Sequence, residues 1–193
     1  MKIAIIDYGA GNVQSVQFAL ERLGYKGILT ADADLIYSSD KVIFPGVGQA
    51  SSAMNTIKEY GLDSVIPELK QPVLGICLGM QLLCQYSEEA NTECLGIFDT
   101  AVMRFSEKVK IPQIGWNMVT DLKSDLFLGI ADKQYMYFVH SYYVPVIPQS
   151  IATTYYDAVF ASAIQKDNFY GVQFHPEKSG EAGACILNNF LNL

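Results

Sequence analysis

Lys2-Ile3-Ala4-Ile5-Ile6-Asp7-Tyr8-Gly9-Ala10-Gly11-Asn12 begins as a short apolar run and ends in a glycine-rich turn. Val13, Val16, Leu20 and Leu23 then recur at three- and four-residue intervals, the stripe of an amphipathic helix that Gly24 is placed to end. A buried strand, a loop and a helix in that order open a parallel βαβ unit. Further strands are expected at 27–30, 41–44 and 71–76. Pro45-Gly46-Val47-Gly48 breaks the second of them, Ser51 or Ser52 offers a cap for a helix running to Tyr60, and 78–86 reads as helical. From about residue 100 the pattern changes. The segments 100–105, 116–120, 135–146, 151–156 and 169–174 read as strands with little helix between them, antiparallel additions to the parallel sheet. A last helix over 180–193 presents Ile186, Leu187, Phe190 and Leu191 to the core. The expected architecture is a single α/β domain over 1–193, a three-layer sandwich with a mostly parallel central sheet.

Composition narrows the function classes. The 193 residues are half apolar and 17% charged, which excludes a disordered chain or a coiled coil. Twenty acidic residues against 13 basic ones give a net charge of -7, and the basic ones are scattered apart from Lys108 and Lys110. That argues against a nucleic-acid partner. The longest apolar stretch, 73–84, contains Gln81 and is too short to span a bilayer, so no membrane partner is expected. The first residues lack the pattern of a signal peptide, and the cytoplasm is the expected compartment. Four cysteines with no Cys-x-x-Cys pair, beside two histidines, give neither a disulfide framework nor a metal site. Free thiols are expected.

One of those thiols stands in a distinctive place. Gly75-Ile76-Cys77-Leu78-Gly79 lies where an apolar strand meets a helix and has the form of a nucleophile elbow. A tight turn there strains the backbone of Cys77, glycines two residues to either side leave room for it, and the helix N-terminus favours thiolate. The bland alternative is a structural cysteine beside packing glycines. Cys84, two helical turns further on, reads as core. Gly171-Val172-Gln173-Phe174-His175-Pro176-Glu177 ends a second apolar strand. Residues two apart in extended chain point the same way, and Pro176 favours that geometry, so Glu177 can hold His175 in one tautomer. A strand-end histidine with a surface carboxylate is the ordinary reading of this segment alone; a cysteine elbow in the same chain reverses the weighting. At Pro45-Gly46-Val47-Gly48, a glycine-rich loop at a strand end exposes N–H groups that suit an oxyanion, Val47 partnered by Leu78, or is an ordinary tight turn. His140, in Tyr137-Phe138-Val139-His140-Ser141-Tyr142, competes for the role of base but has no carboxylate near it in sequence. Trp116, in Gly115-Trp116-Asn117, is either a core plug or an interface anchor.

Taken together these segments resemble the class I (triad) glutamine amidotransferases, over the whole chain, and imply the flavodoxin-like α/β fold of that family. Asp7-Tyr8-Gly9-x-Gly11-Asn12, Pro45-Gly46-Val47-Gly48, Gly115-Trp116-Asn117 and the Phe138-Val139-His140-Ser141-Tyr142 and Phe174-His175-Pro176-Glu177 segments are similar to one branch of it. That branch comprises the glutaminase subunits that serve imidazole glycerol phosphate synthesis in histidine biosynthesis. The resemblance implies a Cys77, His175 and Glu177 triad that hydrolyses L-glutamine through a γ-glutamyl thioester, with no cofactor. It implies a glutamine site built from Gly46, Gly48, Gln81, His140, Ser141 and Tyr142. It also implies a heterodimer with a (β/α)₈-barrel cyclase subunit, which receives the ammonia through a tunnel, with Asn12, Trp116, Asn117 and Tyr137 at the interface. Two positions depart from the family pattern: Gln113 stands where many members have histidine, putting any interface contact of that residue in question, and Ala50 replaces an aromatic residue common in other branches. Three other readings keep the same triad residues: the glutaminase of another triad amidotransferase complex, a stand-alone cysteine hydrolase, and a non-catalytic scaffold that binds a partner barrel.

Overall fold

Ile3 and Ile5 pack to one side of their strand and Ala4 and Ile6 to the other, and all four are fully buried. A strand covered on both faces is apolar at every position, which is why the opening stretch shows no alternation. The computed structural model describes residues 1–9 and 13–193; the expected interface residue Asn12 lies outside the described residues. In chain order the elements are β1 (Ile3–Ile6), α1 (Val13–Arg22), β2 (Gly27–Thr30), α2 (Ala33–Tyr37), β3 (Lys41–Gly46), α3 (Ala50–Glu59) and α4 (Leu62–Val65). Then come β4 (Val73–Cys77), α5 (Leu78–Leu82), β5 (Cys84–Ser87), β6 (Thr92–Glu93), β7 (Phe98–Arg104) and β8 (Gln113–Thr120). The chain closes with β9 (Gln134–His140), β10 (Tyr142–Pro145), β11 (Ser150–Tyr155), β12 (Val159–Lys166), β13 (Phe169–Val172) and α6 (Gly180–Asn192).

The strands β2-β1-β3-β4-β13 are parallel and form the expected centre. β12 runs antiparallel to β13 and carries the additions: β10, β7, β5 and β6 on one path, β11, β8 and β9 on a branch. One face of the sheet buries Val16 and Leu20 of α1 with Ile186, Leu187 and Phe190 of α6. The other buries Ala53, Met54 and Ile57 of α3 with Phe44 and Leu62. These are the three layers. The register sets Gly46 beside Cys77, and Ile76 beside Val172, so β3, β4 and β13 all release their loops at one end of the sheet.

Several local expectations are corrected. The helix expected over 78–86 stops at Leu82, and Cys84 starts a strand that pairs with β7 and β6. A short apolar run suits either element, and here a strand partner is available. Cys84 is nonetheless fully buried. Neither Ser51 nor Ser52 caps α3; its N-cap position is Gln49, and the Glu89 carboxylate accepts from Ala50 N at 2.7 Å. Pro45 does not end β3, which runs on to Gly46 against β4, with Tyr8 OH donating to Pro45 O at 2.9 Å. The run 135–146 is two strands divided at Ser141, and β8 starts at Gln113 rather than Trp116. The strand β12 and the helix α2, whose Asp32 cap accepts from Leu35 N, add to the elements expected from sequence.

The elbow depends on close contact between backbones. A Cβ on Gly79 would run into the Phe44 carbonyl, and one on Gly75 would come within 2.8 Å of Met80 N. Neither obstacle is a flexible side chain. Gly79→Ala is therefore expected to cost about 3 kcal/mol by forcing β3 and α5 apart, lowering the melting temperature by about 6–12 °C in a scanning-calorimetry comparison with the unmodified chain.

Candidate active site

Cys77 is the last residue of β4 and the N-cap of α5, with φ 53° and ψ -108°. Positive φ in a residue with a side chain is a strained conformation, held because both flanking elements are fixed. It turns the sulfur away from the C-terminal end of the parallel strands into a cavity of about 440 Å³. That volume fits a ligand of amino-acid size. α5 has only five residues, so it contributes one turn of free N–H groups and little macrodipole. The sulfur's immediate partners are instead Val139 O at 3.6 Å, Gln173 Nε2 at 3.7 Å and the His175 imidazole.

His175 reaches the same cavity from the strand beside β4. Its backbone N–H donates to Tyr137 O at 2.9 Å, tying it to β9. The expected pairing with Glu177 is present, His175 Nδ1 lying 2.8 Å from Glu177 Oε1, but the expected route to it is not. The chain after His175 turns into a 3₁₀ segment, Pro176–Lys178, instead of continuing extended. The turn folds the carboxylate back under the ring. His175 is 2% exposed and Glu177 8%. Burial pushes the imidazole toward neutrality, but hydrogen bonds and negative charge from Cys77 and Glu177 outweigh it and raise its pKa to about 10. The surroundings of His175 thus favour its protonated form.

His140 also faces the cavity but is engaged differently. Its Nδ1 donates to Tyr142 O at 2.7 Å, and its Nε2 lies 3.0 Å from the Gln113 amide. Burial is the main influence, lowering its pKa to about 4 and keeping the ring neutral. Of the two histidines, His175 is the one held by a carboxylate and influenced by Cys77, whereas both ring nitrogens of His140 are already engaged. Gln113 is 4% exposed; it does not line this cavity but touches His140 behind it, and it also lines a second cavity beside Trp116 and Asn117.

A family model described as glutamine amidotransferase class-I matches residues 4–193. The chain belongs to that family. This amidotransferase is 56% identical to a Bacteroides fragilis protein named imidazole glycerol phosphate synthase subunit HisH, with both chains covered completely. Proteins of the same name from Bacteroides thetaiotaomicron and Escherichia coli K12 are 52% and 48% identical, again over the full length of both. Among solved structures, PurLQS from Thermotoga maritima superposes with a TM-score of 0.74 at 18% identity, covering 99% of this chain and 97% of that one. A glutamine amidotransferase from the same organism gives 0.66 at 17% identity, covering all of this chain and 83% of that one. At such identities these two speak for the fold alone.

Of the expected residues, Cys77, His175, Val47, Leu78, Gly48, Gln81, His140, Ser141 and Tyr142 all line the one cavity. Glu177 stands behind His175. Gly46 does not line it; it is packed against Tyr8 OH, Gly79 N and Leu78 Cβ. Trp116 is 55% exposed and makes an edge contact with Tyr137, the ring centroids 6.0 Å apart, which removes the core-plug reading. Asn117 Nδ2 donates to Tyr155 O. Sequence reasoning misses Glu89, which lines the cavity from the turn after β5 and has no local signal. It also misses Gln173, where a signal exists: a polar residue inside an apolar strand needs a buried partner.

The raised imidazole value carries a sign. A group that titrates higher when folded than its ordinary 6.5 stabilises the fold fully below that pH and loses the effect as pH rises through about 10. Glu177→Gln keeps an acceptor for Nδ1–H but removes the charge. Its urea midpoint is expected to fall below that of the unmodified chain by the widest margin near pH 6, a gap that closes toward about pH 10.

Proposed function

We propose that this amidotransferase is the glutaminase subunit of an imidazole glycerol phosphate synthase, serving histidine biosynthesis in the cytoplasm. The observation that carries the proposal is the relay Glu177–His175–Cys77 opening onto a cavity sized for glutamine. The full-length identity to subunits of that name supports the choice of synthase.

In the proposed reaction the Cys77 thiolate attacks the side-chain carboxamide carbon of L-glutamine. Val47 and Leu78 N–H groups receive the developing oxyanion. The His175 imidazolium, oriented by Glu177, gives its proton to the departing ammonia, leaving a γ-glutamyl thioester on Cys77. The neutral imidazole then takes a proton from water, and the resulting attack releases glutamate and the thiolate. Glu89 is the one carboxylate among the described lining residues, and it is the group suited to the substrate's α-ammonium. Gly48, Gln81, His140, Ser141 and Tyr142 complete the grip on glutamine. Both N–H groups of Gln81 are engaged by protein carbonyls, so it meets the substrate through its oxygen.

Ammonia is useful only if it is handed on before it escapes. The proposed recipient is a cyclase subunit with a (β/α)₈ barrel, docked over the open side of the site. Trp116 and Tyr137 sit directly opposite each other on β8 and β9, and Ile114 and Tyr135 beside them are more than half exposed. That apolar outer face, with Asn117 of the same strand beside it, is the proposed interface. No helix among the described residues is long and apolar enough to cross a membrane, and scattered basic residues give no footprint for nucleic acid.

Two measurements test this. Glutaminase turnover of the isolated chain is expected to be low, to rise when the cyclase is added together with its nucleotide ligand, and to vanish in Cys77→Ala by at least about 10⁴-fold. Equal turnover with and without a cyclase would favour a stand-alone hydrolase. Glu89→Gln still offers an oxygen to Ala50 N and so spares α3, while KM for glutamine is expected to rise roughly ten-fold.

A further inference from the structure

Gln173 is fully buried, stands two residues before His175 and lies off the cavity wall, so the proposed reaction gives it no task. An amide in an apolar interior is costly unless its polar atoms are matched. Its neighbours decide which way it faces. Gln81 Nε2 donates to Tyr142 O and to Gln173 Oε1, each at 2.9 Å. A backbone carbonyl can only accept, so the atom of Gln81 that faces Tyr142 must be nitrogen. The same nitrogen faces Gln173, which must therefore answer with its oxygen. The NH₂ group of Gln173 is left aimed at Cys77 Sγ, 3.7 Å away.

We infer that Gln173 is a positioning residue whose amide donates to the Cys77 sulfur and holds it as the anionic acceptor that attacks glutamine. The inference rests on Cys77 being the nucleophile of the proposed glutaminase. A donor that cannot ionise favours thiolate over thiol, because a thiol has a proton of its own to place. Val139 O, 3.6 Å from the same sulfur, acts in the opposite sense, since only the protonated thiol can use it. Alongside His175, Gln173 supplies a contact that the attacking form retains. The one-turn helix after Cys77 cannot replace it with a macrodipole.

Two variants of the full chain separate this role from simple packing. Gln173→Met keeps length and bulk but loses both polar atoms. Gln173→Glu keeps the oxygen that Gln81 needs, but a carboxyl is a stronger acid than a thiol, so any proton shared with the sulfur ends on the sulfur. Alkylation of Cys77 by iodoacetamide, followed on the Cys77 peptide by mass spectrometry across a pH series, reads the sulfur directly. In both variants the alkylation profile is expected to move to higher pH, with the rate near pH 7 falling on the order of ten-fold. Glutaminase kcat, measured with the cyclase partner present, is expected to fall in step, and KM to stay within about two-fold. If circular dichroism shows that Gln173→Met does not fold, Gln173→Glu decides alone. A profile in a folded variant that superimposes on that of the unmodified chain overturns the inference, as does a rise in KM at constant kcat. Failure of the underlying reading looks different: the unmodified chain then releases no ammonia from glutamine under any condition, whatever the alkylation rates.

Discussion

Two backbones touch with nothing between them where α5 crosses the end of β3, and the chemistry rests on that contact. Gly79 lies against the Phe44 carbonyl and Gly75 against the first turn of α5. Only so close an approach lets the chain leave β4 and enter a helix within one residue, and the residue that absorbs the reversal is Cys77 with its positive φ. The strain is localised where the sulfur is needed and is opposed by two fully packed faces of the sheet.

Around that point the charges are arranged with little waste. One histidine is favoured in its cationic form by Cys77 on one side and Glu177 on the other. The second is kept neutral by burial, although it borders the same cavity. Two imidazoles in one pocket thus hold different protonation states for reasons that can be named residue by residue.

The parallel half of the fold is legible in the sequence because its strands are buried on both sides and its turns are marked by glycine: β1, β2, β3 and β4 stand where apolar runs put them. The added half is less so. β12 is divided from β11 by three residues in which Asp157, at φ 40°, is the single turn signal, and the end of α5 is obscured because pairing with β7, a contact remote in sequence, overrides local helical periodicity. The residues of the proposed triad are legible as motifs, yet the geometry that joins His175 to Glu177 is not: a 3₁₀ turn and not extended chain brings them together. Glu89 is invisible, since its place beside the cavity follows from the fold of β5 and the turn after it and from nothing in its own neighbourhood.

Gln113, His140, the Tyr142 carbonyl, Gln81 and Gln173 make a chain of hydrogen bonds inside an otherwise oily interior. They come from four separate parts of the sequence, His140 and Tyr142 lying two residues apart, and each satisfies the next. Remove any one strand and the survivors are stranded in hydrocarbon, several polar atoms at once. Half-built versions of the crevice are thereby penalised more than the same segments fully unravelled in water. The pocket should accordingly appear and disappear in a single step, so that a molecule damaged by heat or denaturant carries either a whole site or none.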